Sequence, residues 1–183
     1  MSIIRALADT NIVNIILDID DEIINNPKKE ENRNCLARLM EQFVDTGKVQ
    51  LFVNPSVERE IENIKKDPRR KQRLLDVFHQ LDFTPEQKAI FPFHWGEGYS
   101  VMFLTTEEKE LLNKLYAELP KFRKDEKVLG DALFNPNIEV LLTTDEEHLA
   151  NAKFRRLLIE MGLDDRLRIF TPIEFIYYLA QNV

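Results

Sequence analysis

Four acidic side chains occupy positions from which a parallel sheet could bring them together. Asp9 ends an apolar run near the N-terminus, and Asp145 follows a second apolar run late in the chain. Glu60 and Asp125 lie between them, on segments with the pattern of helices. Carboxylates about 5 Å apart repel one another by about 3 kcal/mol at an effective dielectric constant near 20. A cluster of four therefore indicates a site for a hard, oxygen-binding cation such as Mg²⁺ or Mn²⁺.

The composition argues against other kinds of site. The chain has 183 residues, enough for one domain with a substantial core, and its five glycines form no phosphate-binding pattern. Cys35 is the single cysteine, which rules out an intramolecular disulfide and disfavours cysteine-bound zinc. The three histidines have no metal-ligand spacing. The N-terminus lacks a signal-peptide core and no apolar run reaches transmembrane length, so we expect a cytoplasmic protein without a membrane partner.

Strand and helix patterns alternate along the chain. The predicted strands cover 3–8, 49–53, 138–142 and 167–170, with 81–84 as a further short candidate. The predicted helices cover 12–19, 30–45, 106–119, 146–161 and 172–180, and others begin near Pro55, Pro68 and Asp125. This alternation predicts a single domain, 1–183, with a three-layer α/β/α fold and a mainly parallel sheet of four to five strands. In such a sheet, ligands bind at the carboxyl ends of the strands.

Five short motifs follow one another in a fixed order. They are Asp9-Thr10-Asn11; Val57 followed by Glu60-Ile61; Asp125 followed by Ala132-Leu133; Thr143-Thr144-Asp145; and Thr171-Pro172-Ile173-Glu174-Phe175. In this order, from residue 3 to about 179, the chain resembles the PIN-domain family of metal-dependent ribonucleases. Each motif alone is unspecific, and their order carries the resemblance. Relative to compact family members, 125–145 is slightly longer and 85–105 has the character of an insertion.

The resemblance implies a metal-dependent endoribonuclease. Its catalytic residues, which would also bind Mg²⁺ or Mn²⁺, are Asp9, Glu60, Asp125 and Asp145. Asn11 and Thr143 are expected to orient the carboxylates. One or two bound ions would lower the pKa of a water molecule and orient it toward a phosphodiester. The resemblance also implies products with 5′-phosphate and 3′-hydroxyl ends.

Other functions are compatible with parts of the sequence. A non-catalytic RNA- or protein-binding module would keep the fold and cleave nothing, although four retained acids argue against it. Asp18-Ile19-Asp20 resembles the nucleophile motif of haloacid-dehalogenase-like phosphatases, but Asp21-Glu22 replaces the small pair that follows it in that family. Within the nuclease class, a toxin of a toxin–antitoxin pair is an alternative, although the chain is longer than the compact toxins of that type.

Two basic clusters are candidates for RNA binding despite a net charge of −7. The first flanks Asp125 and the second follows the Glu60 motif; their members are Lys121, Arg123, Lys124 and Lys127, and Lys65, Arg69 and Arg70. Cations of this kind contact phosphates without regard to base sequence. A solvated helix face is the alternative for each cluster. The expected partner is RNA, while an antitoxin or other regulatory protein and a homodimer are left open.

Overall fold

A parallel sheet forms the centre of the molecule. The computed structural model describes residues 3–19, 26–81, 105–118, 126–135 and 137–183. Within them, the strands are β1 (Ile4–Ala8), β2 (Val49–Val53), β3 (Val140–Leu142) and β4 (Arg168–Phe170). They are arranged in the order β2-β1-β3-β4, and every neighbouring pair is parallel. Together with the helices that connect the strands, this sheet confirms the predicted three-layer α/β/α fold.

Helices account for most of the remaining described residues. They are α1 (Thr10–Leu17), α2 (Pro27–Leu39), α3 (Pro55–Glu62), α4 (Pro68–Gln80), α5 (Thr106–Glu118), α6 (Glu126–Phe134), α7 (Ala152–Glu160) and α8 (Pro172–Asn182). A π-helical turn, Met40–Val44, extends α2. The described part of the chain contains no helix long and apolar enough to cross a membrane.

Four helices begin with the same two-residue signal. In α2, α3, α4 and α8, proline occupies the first turn, where its missing N–H costs nothing. The residue before each proline is a capping residue whose side chain accepts a backbone N–H bond: Asn26, Asn54, Asp67 and Thr171. These signals fix where each helix starts, and so fix the end of the strand or loop before it.

The register of the sheet aligns the carboxyl ends of all four strands. Ala8 pairs with Val53 on one side and with Leu142 on the other, and Leu142 pairs with Phe170. The residue that follows each strand is polar and buried in every case: Asp9, Asn54, Thr143 and Thr171. One edge of the sheet therefore presents a row of buried polar side chains.

Some segments differ from the sequence prediction. The helix predicted at 146–161 begins only at Ala152, because Asn151 caps it by accepting the N–H of Phe154, and 146–150 form turns. The predicted insertion at 85–105 and the strand candidate at 81–84 lie outside the described residues, apart from Thr105 and Leu81.

The phosphatase motif is not at a strand end. Asp18, its first aspartate, caps the carboxyl end of α1 and forms an ion pair with Arg70. The second aspartate, Asp20, lies outside the described residues. A nucleophile of that type belongs at the end of a strand, so the position of Asp18 disfavours the phosphatase alternative.

Candidate active site

Asp9 is the most deeply buried of the predicted acids that the structure describes, with 5% of its surface exposed. It stands between β1 and α1 and caps the helix, accepting the N–H of Ile12 at 3.0 Å. The Thr143 hydroxyl and, at a longer 3.5 Å, the Asn11 amide donate to its other oxygen. Burial nevertheless outweighs these hydrogen bonds and raises the pKa of Asp9 from 3.8 to about 6.

Thr143 connects Asp9 to Asp145. Its hydroxyl is fully buried, donates to Asp9 and accepts the backbone N–H of Asp145 at 3.0 Å. The two acids therefore lie on either side of a single hydroxyl group. The role of Thr143 in orienting metal-binding carboxylates stays a prediction.

Asp145 makes a contact that was not predicted from the sequence. Its carboxylate accepts the backbone N–H of His148 at 3.0 Å, and the Nδ1 of the same histidine lies 3.0 and 3.1 Å from the two carboxylate oxygens. His148 was not assigned to the site because its spacing from other histidines gave no signal. The local Asp-x-x-His spacing was the available signal, since residues three apart in a turn lie side by side.

Glu60 reaches the same corner from the neighbouring helix. It is exposed on α3 and accepts the hydroxyl hydrogen of Thr10, the residue directly after Asp9. Its helical neighbours Val57 and Ile61 are fully buried and hold this face of α3 against the core. Glu60 is therefore hydrogen-bonded to the residue next to Asp9, while Thr143 is hydrogen-bonded to both Asp9 and Asp145.

The fourth predicted acid, Asp125, lies outside the described residues, immediately before the first residue of α6. One helical acid that does reach the carboxyl edge is Asp131, which was not assigned to the site from the sequence. It is buried, and the side-chain amide of Asn54 donates to it. Asn54 follows β2 and also caps α3. Asp131 is therefore joined by a hydrogen bond to the buried polar residue that follows β2.

No group of three or more histidine, cysteine, aspartate or glutamate side chains is close enough to hold a metal ion among the residues that the structure describes. The donor set is still of the right kind, because Asp9, Glu60 and Asp145 supply the carboxylate oxygens that Mg²⁺ and Mn²⁺ prefer. The metal site remains a prediction, with Asp125 beyond the described part of the chain.

The basic clusters have different positions. Lys65 and Arg69 are exposed, whereas Arg70 is half-buried and holds Asp18 through bonds of 2.9 and 3.2 Å. Arg70 also donates to the Oδ1 of Asn14 on α1. Its described contacts are thus those of a link between α4 and α1. Residues 121–124 lie outside the described part of the chain, and only the backbone of Lys127 is described.

A cleft of about 680 Å³ opens beside Asp145. It lies between α1, the first turns of α2 and the turn that follows β3, with Arg70 at its border. Asn11 and Asp145 line it, so the cleft is continuous with the acidic corner.

Comparison with known proteins identifies no relative of this chain. No family model, curated protein or solved structure matches the chain. The resemblance to the PIN-domain family therefore depends on the five motifs and on their order.

Proposed function

We propose that the protein is a metal-dependent endoribonuclease of the PIN type. The observation that supports this most directly is the link from Asp9 through Thr143 to Asp145 at the carboxyl edge of the sheet. Open α/β sheets bind their ligands at this edge. A buried carboxylate whose pKa is raised to about 6 is also a group that gains from a neighbouring cation.

In this proposal the residues divide the work. Asp9, Glu60 and Asp145, together with Asp125, hold Mg²⁺ or Mn²⁺. When bound, the ion supplies an activated water molecule and stabilises negative charge on the phosphate. Thr143 keeps the Asp9 carboxylate oriented through its hydroxyl. No protein nucleophile is required.

The Thr10 hydroxyl has a similar role for the exposed acid. It donates to Glu60 and so restricts a side chain that would otherwise sample several rotamers. Asn11 lies on the border between Asp9 and the cleft and can donate to either side. The proposed site is thus assembled from the residues that follow β1 and β3, the first turn of α1 and the second turn of α3.

The decisive experiment is incubation of the purified protein with a mixture of RNAs in Mn²⁺, Mg²⁺ or EDTA. We expect cleavage with Mn²⁺ and Mg²⁺ and none with EDTA, and 5′-phosphate ends on the products. Asp9→Asn should abolish cleavage, because asparagine keeps the helix cap but removes the charge. The matched control is Asp164→Asn. Asp164 is exposed and precedes β4, so it lies toward the amino ends of the strands, away from the proposed site. Equal cleavage by the parent and Asp9→Asn would refute the assignment.

The second candidate is a non-catalytic RNA- or protein-binding module with the same fold. One observation favours it: Asp9 and Asp145 both accept local backbone N–H bonds, as purely structural capping residues do. RNA binding that is unchanged by EDTA, with no cleavage in any metal, would support this candidate over the nuclease.

A further inference from the structure

The cleft beside Asp145 contains a polar group that the described part of the fold does not use. Asn32 lies in the interior of α2 and lines the cleft, with only 5% of its surface exposed. Its Oδ1 is buried and has no hydrogen-bond partner among the described residues. Buried amides are normally paired, because an unpaired one forfeits its bonds to water. An asparagine inside a helix also lowers helix stability relative to alanine. Asn32 therefore lowers the stability of the fold, and no described residue compensates by donating a hydrogen bond to its Oδ1.

The rim of the same cleft offers cations to a phosphate, beside the carboxylates of Asp18, Asp145, Glu146 and Glu147 that also line it. Helix α2 begins there, and the positive end of a helix dipole attracts anions. Lys28 and Lys29, in its first turn, line the cleft and are exposed. Lys28 pairs with Glu146, and the two side chains are 61% and 42% exposed, so the pair is weak and an incoming phosphate can compete for this lysine.

The size and position of the cleft suit one unit of a nucleic acid chain. Its volume of about 680 Å³ lies within the range of small-ligand sites. Asn11 and Asp145 belong both to the cleft and to the acidic corner. A strand whose scissile phosphate lies at that corner would therefore place the adjoining nucleotide in the cleft.

We propose that the cleft binds the nucleotide next to the scissile phosphate, with its phosphate on Lys28 and Lys29 and its base edge against Asn32. An asparagine side chain offers one donor and one acceptor side by side, which is how proteins identify base edges. Single-stranded RNA exposes those edges. This inference rests on the proposed nuclease function, and it names the group that would give that function a base preference.

Binding in EDTA tests the inference without cleavage. The probes are 5′-fluorescein-labelled eight-nucleotide homopolymers of A, C and U, and the readout is fluorescence anisotropy. We expect the parent to prefer one homopolymer by about ten-fold, which is typical of one good base contact. Asn32→Ala should remove the preference, while Asn34→Ala, an exposed asparagine on the same helix, should retain it. Asn32→Ala should also melt at a higher temperature, which shows that it folds.

The lysines are tested with the same probes. Replacing Lys28 and Lys29 together by alanine should weaken binding of every homopolymer and lower the slope of log K against log salt by roughly 0.7 for each phosphate that these lysines neutralise. Lys48→Ala is the control. Lys48 is exposed and directly precedes β2, so it lies at the amino ends of the strands, whereas the cleft lies at their carboxyl ends. An unchanged slope in the double variant would show that Lys28 and Lys29 contact no phosphate, and this would overturn the inference.

The two proposals fail in different ways. If the parent cleaves RNA with Mn²⁺ but Asn32→Ala keeps the parent's base preference, the nuclease stands and the cleft inference is wrong. If Asn32→Ala loses a preference that the parent has, and nothing is cleaved in any metal, the cleft is a nucleotide site and the nuclease proposal is wrong. A parent protein that binds none of the homopolymers overturns the cleft inference directly.

Discussion

The Thr143 hydroxyl donates a hydrogen bond to the carboxylate of Asp9 across the boundary between the neighbouring strands β1 and β3. The same oxygen accepts the backbone N–H of Asp145. Thr143, which directly follows the buried strand β3, thus hydrogen-bonds both to Asp145, which also follows β3, and to Asp9, which follows β1. Its removal should affect both.

Thr143→Val tests this link, because valine has nearly the same shape but no hydroxyl. Asp9 loses a bond that lowers its pKa, and the N–H of Asp145 loses its acceptor. We expect the free energy of unfolding to fall by about 1–3 kcal/mol and the Mn²⁺ concentration for half-maximal cleavage to rise. Urea unfolding and a Mn²⁺ titration measure the two effects. Thr46→Val, at an exposed threonine after α2, should change the unfolding free energy by less than about 0.5 kcal/mol.

Asp9 should make stability depend on pH. Its pKa is raised from 3.8 to about 6, so between these values the folded state binds more protons than the unfolded state. Stability therefore falls as pH rises through this window, by about 3 kcal/mol in total at about 1.4 kcal/mol per pKa unit. Urea unfolding at pH 4.5 and pH 7 measures the larger part of this change, about 2 kcal/mol, because pH 4.5 lies inside the window. Asp9→Asn should lose this component and be the more stable protein at pH 7, whereas Asp164→Asn should behave as the parent does.

Glu60 should matter for cleavage and hardly at all for stability. It is exposed, and its partner is a single hydroxyl group, that of Thr10. We expect Glu60→Gln to lower the cleavage rate by at least about ten-fold if it binds metal, with an unfolding free energy within about 0.5 kcal/mol of the parent. Glu62→Gln, an exposed glutamate on the same helix, is the control. Equal loss in both variants would point to net charge rather than to a ligand role.

Alanine variants of Arg70 and Arg69 should distinguish an arginine that stabilises the fold from one that is available to bind RNA. Arg70 spans α4 and α1 through Asp18, so Arg70→Ala should lower the unfolding free energy by about 1 kcal/mol, a modest value because both partners are partly exposed. Arg69→Ala should leave stability unchanged, since that side chain is exposed. If the second basic cluster binds RNA, Arg69→Ala alone should reduce the salt dependence of binding.

The sequence was sufficient for the fold because the signals were local. Apolar runs predicted the four strands, and a capping residue followed by proline marked the starts of α3, α4 and α8. The position of Asp9 was predictable for the same reason, since an acid directly after a buried strand must lie at the carboxyl edge. The turns at 146–150 were missed because they contain good helix formers, two glutamates and an alanine, directly before α7, whose true start is marked by the cap at Asn151.

The rest of the candidate site depends on pairings between distant parts of the chain. The bond from Asn54 to Asp131 joins residues 77 positions apart, and neither residue type signals the other. The burial of Asn32 likewise follows from how α2 packs, not from its own neighbours, which are mostly charged or polar. Such residues become visible only when the helices are assembled.

The row of polar residues at the strand ends has a consequence for the choice of ion. At β1, β2 and β4 a single residue separates the strand from the next helix, so no flexible loop intervenes. The backbone positions from which these side chains extend are then set by the strand spacing of about 4.8 Å. A frame of this kind cannot expand to surround a large ion with seven or eight oxygens. Asp9 is the one proposed ligand that belongs to this row. We therefore expect an ion bound there to keep most of its water and to take few protein ligands, so Mg²⁺ or Mn²⁺ should bind in preference to Ca²⁺.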